Sequence, residues 1–336
     1  MIFDYYAFLD GSKACPQQVK EGGLASGFAD GCTVWSCRGD KEKNNARQCY
    51  MKRAADLELK LPQELQLEPD HGHLPNSTWF GIDVSFTLKS PWYSKDDRPF
   101  HVLDNPVRKD HVFGVPFMSS AAWKGLLRWA CRMKAGLLGH LEAHGTRMDG
   151  WKDPPWILHL FGNEKGASEH FRSGTLVCYP TWFNKVGFEV INPHNRTRRA
   201  GMQPIYYEVV PVDTKGRLRL LYAPLPGEIE RDRVTPADFI DSLIDSIKAL
   251  LETYGISAKR TAGWGTARID TWTGMLKASA QPPKPEPRST KKTLHSLQDL
   301  GTLAREQSPP GSFTSKDAEG FKAEMKSRIA QKGGGQ

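Results

Sequence analysis

Apolar and polar residues alternate most cleanly in WFGIDVSFTL, where Phe80, Ile82, Val84, Phe86 and Leu88 fall between Gly81, Asp83, Ser85 and Thr87. A period of two puts the two sets on opposite faces, so the segment predicts a strand with one buried face. The period changes in SSAAWKGLLRWACRM, where Trp123, Leu126, Leu127, Ala130 and Cys131 recur at helical spacing behind Ser119 or Ser120 as N-cap. A second helix is predicted by Phe239, Ile240, Leu243, Ile244, Ile247, Leu250, Leu251 and Tyr254. Thr235 and Pro236 open it and Gly255 closes it. GTLVCYPTWF, IYYEVVPV, GRLRLLYAPL and TARIDTW read as strands, with IYYEVVPV and GRLRLLYAPL joined across a turn at Asp213 to Gly216. The order from 79 to 272 is then β-α-β-β-α-β with one extra strand near the middle hairpin, an α+β, ferredoxin-like arrangement. RNA-recognition modules share this open sheet, but a fold alone licenses no function.

Composition narrows the class. With 39% hydrophobic and 25% charged residues among 336, the chain is neither collagen-like, fully disordered nor a coiled coil. No run approaches 18 apolar residues, and MIFDYYAFLD carries Asp4 and Asp10 without a basic segment. Neither a membrane span, a membrane partner nor a signal peptide is expected, and the chain reads as cytoplasmic. Six cysteines suit a reducing compartment and suggest no disulfide framework. The net charge of +8 invites a nucleic-acid reading, yet ten basic residues against six acidic ones from Gln281 onward place half of it in the tail. Three regions are expected: an N-terminal extension over 1–76, a core over 77–275 and a flexible basic tail over 276–336. The tail opens with QPPKPEPRST and has one short helical stretch around Phe321 to Ile329.

Candidate chemistry gathers in four places. The long loop after the first strand crowds Arg98, His101, Asp104, Arg108, Lys109, Asp110 and His111 into fourteen positions, where a carboxylate would sit in a phosphate-attracting field. Solvated loop charges are the plainer alternative. Lys124, Arg128 and Arg132 fall at i, i+4 and i+8 and form one basic stripe on the first helix, which could equally be a solvated face. INPHNRTRRAG places Arg196, Arg198 and Arg199 in a protruding segment suited to following a nucleic-acid backbone. In ISAKRTAGWGTARI, Lys259 and Arg260 precede Gly263 and Gly265, a combination that suits a phosphate or simply marks a tight turn. Cys15, Cys32, Cys37 and Cys49, followed by His71 and His73, allow a Zn2+ site, although no C-x2-C knuckle is present.

Together VLDNPVRKD at 102–110, VPFMSSAAWKGLLR at 115–128, the short LFG at 160–162, NRTRRAGMQPIYYEVVP and AKRTAGWGTARI resemble the RAMP family. Its members include the backbone subunits of type III CRISPR effector complexes. The resemblance spans about 78–272. It departs at Met118, where a glycine usually precedes the two serines, and at Asn105, which replaces a small residue.

The resemblance implies a guide-RNA (crRNA)-binding subunit of an antiviral ribonucleoprotein, with other subunits as partners. Asp104 matches the aspartate that cuts bound target RNA, an endoribonuclease activity expected to use Mg2+ or another divalent cation. A carboxylate there can take the proton of a ribose 2′-OH while nearby cations stabilise the phosphorane, with His101, Arg108 or Lys109 assisting. Ser119, Ser120, Lys124 and Arg128 would meet the guide backbone at a helix N-terminus. Some relatives carry zinc in insertions, which extends the cysteine reading. Two rivals stand beside this: a non-catalytic capping or scaffold subunit of the same complex, and a metal-independent guide-processing ribonuclease using His101 or His111 as base.

Overall fold

The computed structural model describes residues 26–61, 65, 74, 78–97, 100–110, 113–163, 172–192, 194–195, 200–201, 204–277 and 311–333. In chain order, two helices, α1 (Ser26–Ser36) and α2 (Asp40–Ala55), precede strand β1 (Phe80–Leu88). A short β2 (Phe117–Met118) leads into α3 (Ser120–Lys134), followed by α4 (Leu137–Ala143) and α5 (Pro155–Phe161). Then come β3 (Leu176–Cys178), β4 (Thr181–Trp182), β5 (Gly187–Ile191), β6 (His194–Asn195), β7 (Ala200–Gly201), β8 (Ile205–Val209) and β9 (Lys215–Tyr222). The series ends with α6 (Glu228–Asp232), α7 (Pro236–Ala249), β10 (Ala267–Leu276), β11 (Ser312–Ser315) and α8 (Ala318–Gly333).

The main sheet runs β11-β10-β1-β9-β3, and every neighbouring pair is antiparallel. With α3 crossing between β1 and β3 and α7 between β9 and β10, the four strands β10-β1-β9-β3 have the ferredoxin-like order. The expected β-α-β-β-α-β core is therefore present. Phe80, Ile82, Val84 and Phe86 of β1 are buried with Trp123, Leu127, Ala130 and Cys131 of α3 and with Phe239, Leu243 and Ile247 of α7. Phe80 stacks on Tyr222 at 4.8 Å, and the buried Trp123 indole donates to Thr181 Oγ1 at 3.0 Å. Both crossover helices open as their sequences suggest. Ser119 Oγ accepts from Ala122 N, and Thr235 with Asp238 forms a capping box ahead of Pro236. The second helix leaves through a π turn, Leu250–Tyr254, to Gly255 at φ +79°. A side chain at 255 would lie 2.6 Å from the Trp264 carbonyl oxygen, so glycine is required there.

Three expectations change. The hairpin expected between IYYEVVPV and GRLRLLYAPL does not form: β8 pairs with β5, from Gly187↔Val209 to Ile191↔Ile205, while β9 pairs with β1 and β3. Pro211 has no N–H to continue a ladder, and Asp213, at φ +61°, donates its N–H to Leu88 O and turns the chain into the main sheet. Likewise Pro180 divides GTLVCYPTWF between the main sheet and the small β2–β4 pair.

The second correction concerns the tail at 311–333, while 278–310 lie outside the described residues: β11 extends the sheet edge at β10, and α8, which contains the expected helical stretch, lies against α7 and β10. Buried Phe321 stacks on Trp272 and Phe313, both at 5.3 Å, and Lys322 and Lys326 pair with Asp245 and Asp241 of α7. Third, the N-terminal extension, for which no element is predicted, forms the helices α1 and α2 within its described residues. Ala46, Tyr50 and Ala54, at i, i+4 and i+8 on α2, pack with Ala29 and Cys32 against Val102, Leu103, Val115 and Val186. No described helix is long and apolar enough to cross a membrane.

Candidate functional site

The loop after β1 is tied down along its length. Trp92 bridges Val210, Lys95 bridges Val107 and Lys109 bridges Pro116, while Arg108 N donates to Ser94 O at 2.7 Å. Asp104 lies at the outer bend with its side chain 76% exposed. Helix α2 reaches it: Arg47 Nη2 donates to Asp104 Oδ2 at 2.7 Å and Arg47 Nε to Val102 O at 3.2 Å. One turn along the same face, Tyr50 donates its hydroxyl to Glu208 Oε1 at 2.7 Å and meets the His101 ring edge-on at 5.3 Å. His101 Nδ1 accepts from Leu103 N, which folds this ring back onto its own loop.

Lys109, expected to face phosphate, points inward. Its ammonium donates to Glu208 Oε1 at 2.5 Å and to Tyr50 Oη at 2.9 Å, with both charged side chains almost wholly buried. The other carboxylate oxygen of Glu208 accepts from Val107 N at 3.0 Å. Burial alone would raise the Glu208 carboxyl. The Lys109 charge, followed by that of His101 and by hydrogen bonds from Lys109 and Tyr50, brings it below its ordinary value. This is a buried pair with its hydrogen bonds made, and it excludes Lys109 from a surface role. Arg108 is at the surface, where Nη2 meets Asp97 at 2.6 Å.

The basic stripe of α3 is divided. Arg128 Nη2 and Arg132 Nε each lie 2.7 Å from Asp153, whose carboxylate is 3% exposed. Burial would raise the Asp153 carboxyl, but the bonds from Arg132, Arg128 and Trp151 hold it low. Arg128 is thus engaged inside the protein, while Lys124 is half-buried and Ser120 exposed; Ser119 Oγ serves the helix cap.

The glycine-rich turn joins the β5–β8 ribbon. Lys259 Nζ sits 5.1 Å from the Tyr207 ring, and Tyr207 packs edge-on against Tyr93 and Trp264. Burial pushes the Tyr93 hydroxyl up to about 12. Arg260 lies over Trp129 at 4.1 Å. A side chain at Gly265, φ +84°, would lie 2.4 Å from Ser257 N, so this glycine permits a close backbone approach. Gly263 is exposed with open space around it. Because Glu208 N also donates to Asn105 O, strand β8 links the Asp104 loop, the ribbon and the glycine-rich turn. Three segments far apart in sequence meet there.

Arg98, His111, Arg196, Arg198, Arg199, Cys15, His71 and His73 lie outside the described residues. Of the other cysteines proposed for zinc, Cys32 is disulfide-bonded, contrary to the expectation of reduced thiols, and this removes it as a thiolate ligand. Cys37 is exposed and Cys49 half-buried, both free. Among the described residues no three His, Cys, Asp or Glu side chains are grouped to hold a metal ion. Asp104 beside a guanidinium is likewise not a divalent-cation cage on its own.

Sequence reasoning missed Arg47, Tyr50 and Glu208, which come from regions read as extension and strand. It also missed a cavity of about 490 Å³ on the main sheet, lined by Ser85, Lys215, Arg217, Arg219, Asp270 and Trp182 beside Leu59 and Leu61. The alternation in GRLRLLY carried that signal, since Arg217 and Arg219 must face away from buried Leu218 and Leu220. Asp83 pairs with both arginines.

The family model of the RAMP superfamily matches residues 85–268, more than half of the chain, from within β1 to the start of β10. The chain belongs to the RAMP superfamily. No curated protein matches it in sequence. Its fold is similar to a chain of a type III-B Cmr-beta complex bound to cognate target RNA, at 12% identity and TM-score 0.40, covering 75% of this chain and 70% of that one. A chain of the Csm3-Csm4 subcomplex of a type III-A interference complex gives 13% and 0.39, covering 76% and 98%. A chain of a CRISPR RNA-guided surveillance complex gives 16% and 0.46, covering 76% and 99%. Within the RAMP core, the loop carrying Asp104 follows the first strand, while Arg47 and Tyr50 come from outside the matched span.

Proposed function

We propose that the chain is a guide-RNA-binding subunit of a type III CRISPR effector complex that cleaves bound target RNA at Asp104. The observation that carries this reading is an exposed carboxylate on a fastened loop directly after the first RAMP strand, with an arginine beside it. In the reaction, the 2′-OH next to the scissile phosphate gives its proton to Asp104 and its oxygen bonds to phosphorus. The bond to the 5′-oxygen breaks, that oxygen takes a proton from solvent, and a 2′,3′-cyclic phosphate and a 5′-hydroxyl remain. Cationic side chains beside the loop stabilise the extra negative charge of the transition state. The described residues do not make a divalent-cation site by themselves.

The test begins with the tagged protein isolated from its own cells and its bound RNA sized on a denaturing gel. Short RNAs sharing a repeat-derived end, with co-purifying subunits, establish the assembly. Asp104→Ala in that assembly is expected to abolish cutting at the positions this subunit serves while leaving target binding intact. The scaffold reading has one observation in its favour, namely that Arg47 already neutralises Asp104. Unchanged cleavage in Asp104→Ala would establish it.

A further inference from the structure

Helix α2 lies outside the span matched by the family, yet it is built into the Asp104 loop at two points. At the first, Tyr50 closes the buried contact with Glu208 and Lys109, fixing where the helix sits. At the second, three residues earlier on the same face, Arg47 bridges the loop: Nε holds the Val102 carbonyl and Nη2 holds Asp104 Oδ2. A guanidinium that spans a backbone carbonyl and a carboxylate two residues apart sets the carboxylate's direction as well as its charge. It takes only one carboxylate oxygen; Oδ1 has no partner among the described residues, and the side chain is 76% exposed. Arg47, at 22% exposure, is much more enclosed than the group it holds.

We infer that Arg47 is the positioning residue of the Asp104 site: the N-terminal helix pair completes a site that the RAMP core holds only in part, presenting Asp104 Oδ1 outward to RNA. The inference rests on the reading of Asp104 as the cleaving group. A loop carboxylate without this bridge would sample many rotamers, and the fraction aligned with a 2′-OH would fall in proportion. Lysine at 47 supplies a charge without the fork and restores only part of the alignment. Tyr50 anchors the helix and sets no rotamer of Asp104, so its loss acts first on folding.

The experiment measures single-turnover target cleavage and, separately, target-RNA affinity in assembled complexes carrying Arg47→Ala, Arg47→Lys, Asp104→Ala or Tyr50→Phe. Arg47→Ala is expected to slow cleavage at least tenfold with unchanged target affinity and guide content. Arg47→Lys should fall between it and wild type, and Tyr50→Phe should cleave near the wild-type rate at a temperature where it is folded. Wild-type cleavage by Arg47→Ala beside an inactive Asp104→Ala overturns the positioning role and leaves the proposed function standing. Loss of target affinity in step with cleavage in Arg47→Ala also overturns it, because the arginine would then hold RNA or the fold. Wild-type cleavage by Asp104→Ala overturns the function and this inference with it.

Discussion

Two carboxylates approached by the same helix behave as opposites. Glu208 is fully buried and holds Lys109, Tyr50 and Val107 N around its oxygens, whereas Asp104 is largely exposed and, among the described residues, holds Arg47 alone through one oxygen. Asp104 lies only three positions before the Val107 N–H that feeds Glu208, so loop position does not explain the contrast. Burial does. A buried ion is tolerated only when its hydrogen bonds are made, which leaves it nothing to offer a substrate. An exposed carboxylate with a spare oxygen contributes little to stability and keeps its chemistry available.

The sharpest way to break the contrast is to unpair the buried side. Glu208→Ala leaves the Lys109 ammonium without its counter-charge, and urea unfolding should show a loss of about 3–5 kcal/mol. Replacing both partners, Lys109→Met with Glu208→Leu, should recover most of that, since apolar residues of similar volume need no counter-charge. A double variant as unstable as the single one would mean that the helix–loop junction depends on the charges themselves.

Acid probes the same pair more gently. The folded protein holds the Glu208 carboxyl below its ordinary value, and Asp232, bonded foremost by Arg231 and also by His159, is held at about 2. A carboxyl lowered by folding binds fewer protons in the native state, so stability is full above the unfolded value and falls as pH drops through the folded one. Stability should therefore decline from about pH 4.5 toward pH 2. Glu208→Gln, although less stable at neutral pH, should show a shallower decline across the upper part of that range. Equal slopes in both proteins would assign the acid sensitivity to Asp232 and the remaining carboxylates.

The core could be read from the chain because each of its elements carries its own period: β1 alternates cleanly, and α3 and α7 have wide apolar faces with caps. The docked tail helix offers only Phe321, Met325 and Ile329 as a narrow stripe behind a long polar run, so composition outweighed it. The stripe on α2 is Ala46, Tyr50 and Ala54, two of them too small to stand out, and its function as a wall shows only once Val102 and Leu103 lie against it. Asp104 stands out in the sequence through its motif, and the fold leaves its side chain exposed beside Arg47. Lys109 and Arg128 were misjudged because a charge pattern gives position along an element, while Glu208 and Asp153, which bury them, are distant in sequence and enter only through tertiary packing.

The smallest expected effect completes the comparison. Asp104→Ala and Arg47→Ala each remove one side of an exposed pair, for which about 0.2–1 kcal/mol is the ordinary range, and salt should shrink the difference further. Urea unfolding of both variants, at low and at high salt, should place them within about 1 kcal/mol of wild type. That result would leave the two carboxylates with separate duties, because a residue can lose activity without losing stability only if the fold does not lean on it. If Asp104→Ala instead costs as much as Glu208→Ala, the outer pair is holding the loop in place. Loss of cleavage in that variant would then report a displaced loop and no longer identify Asp104 as the base.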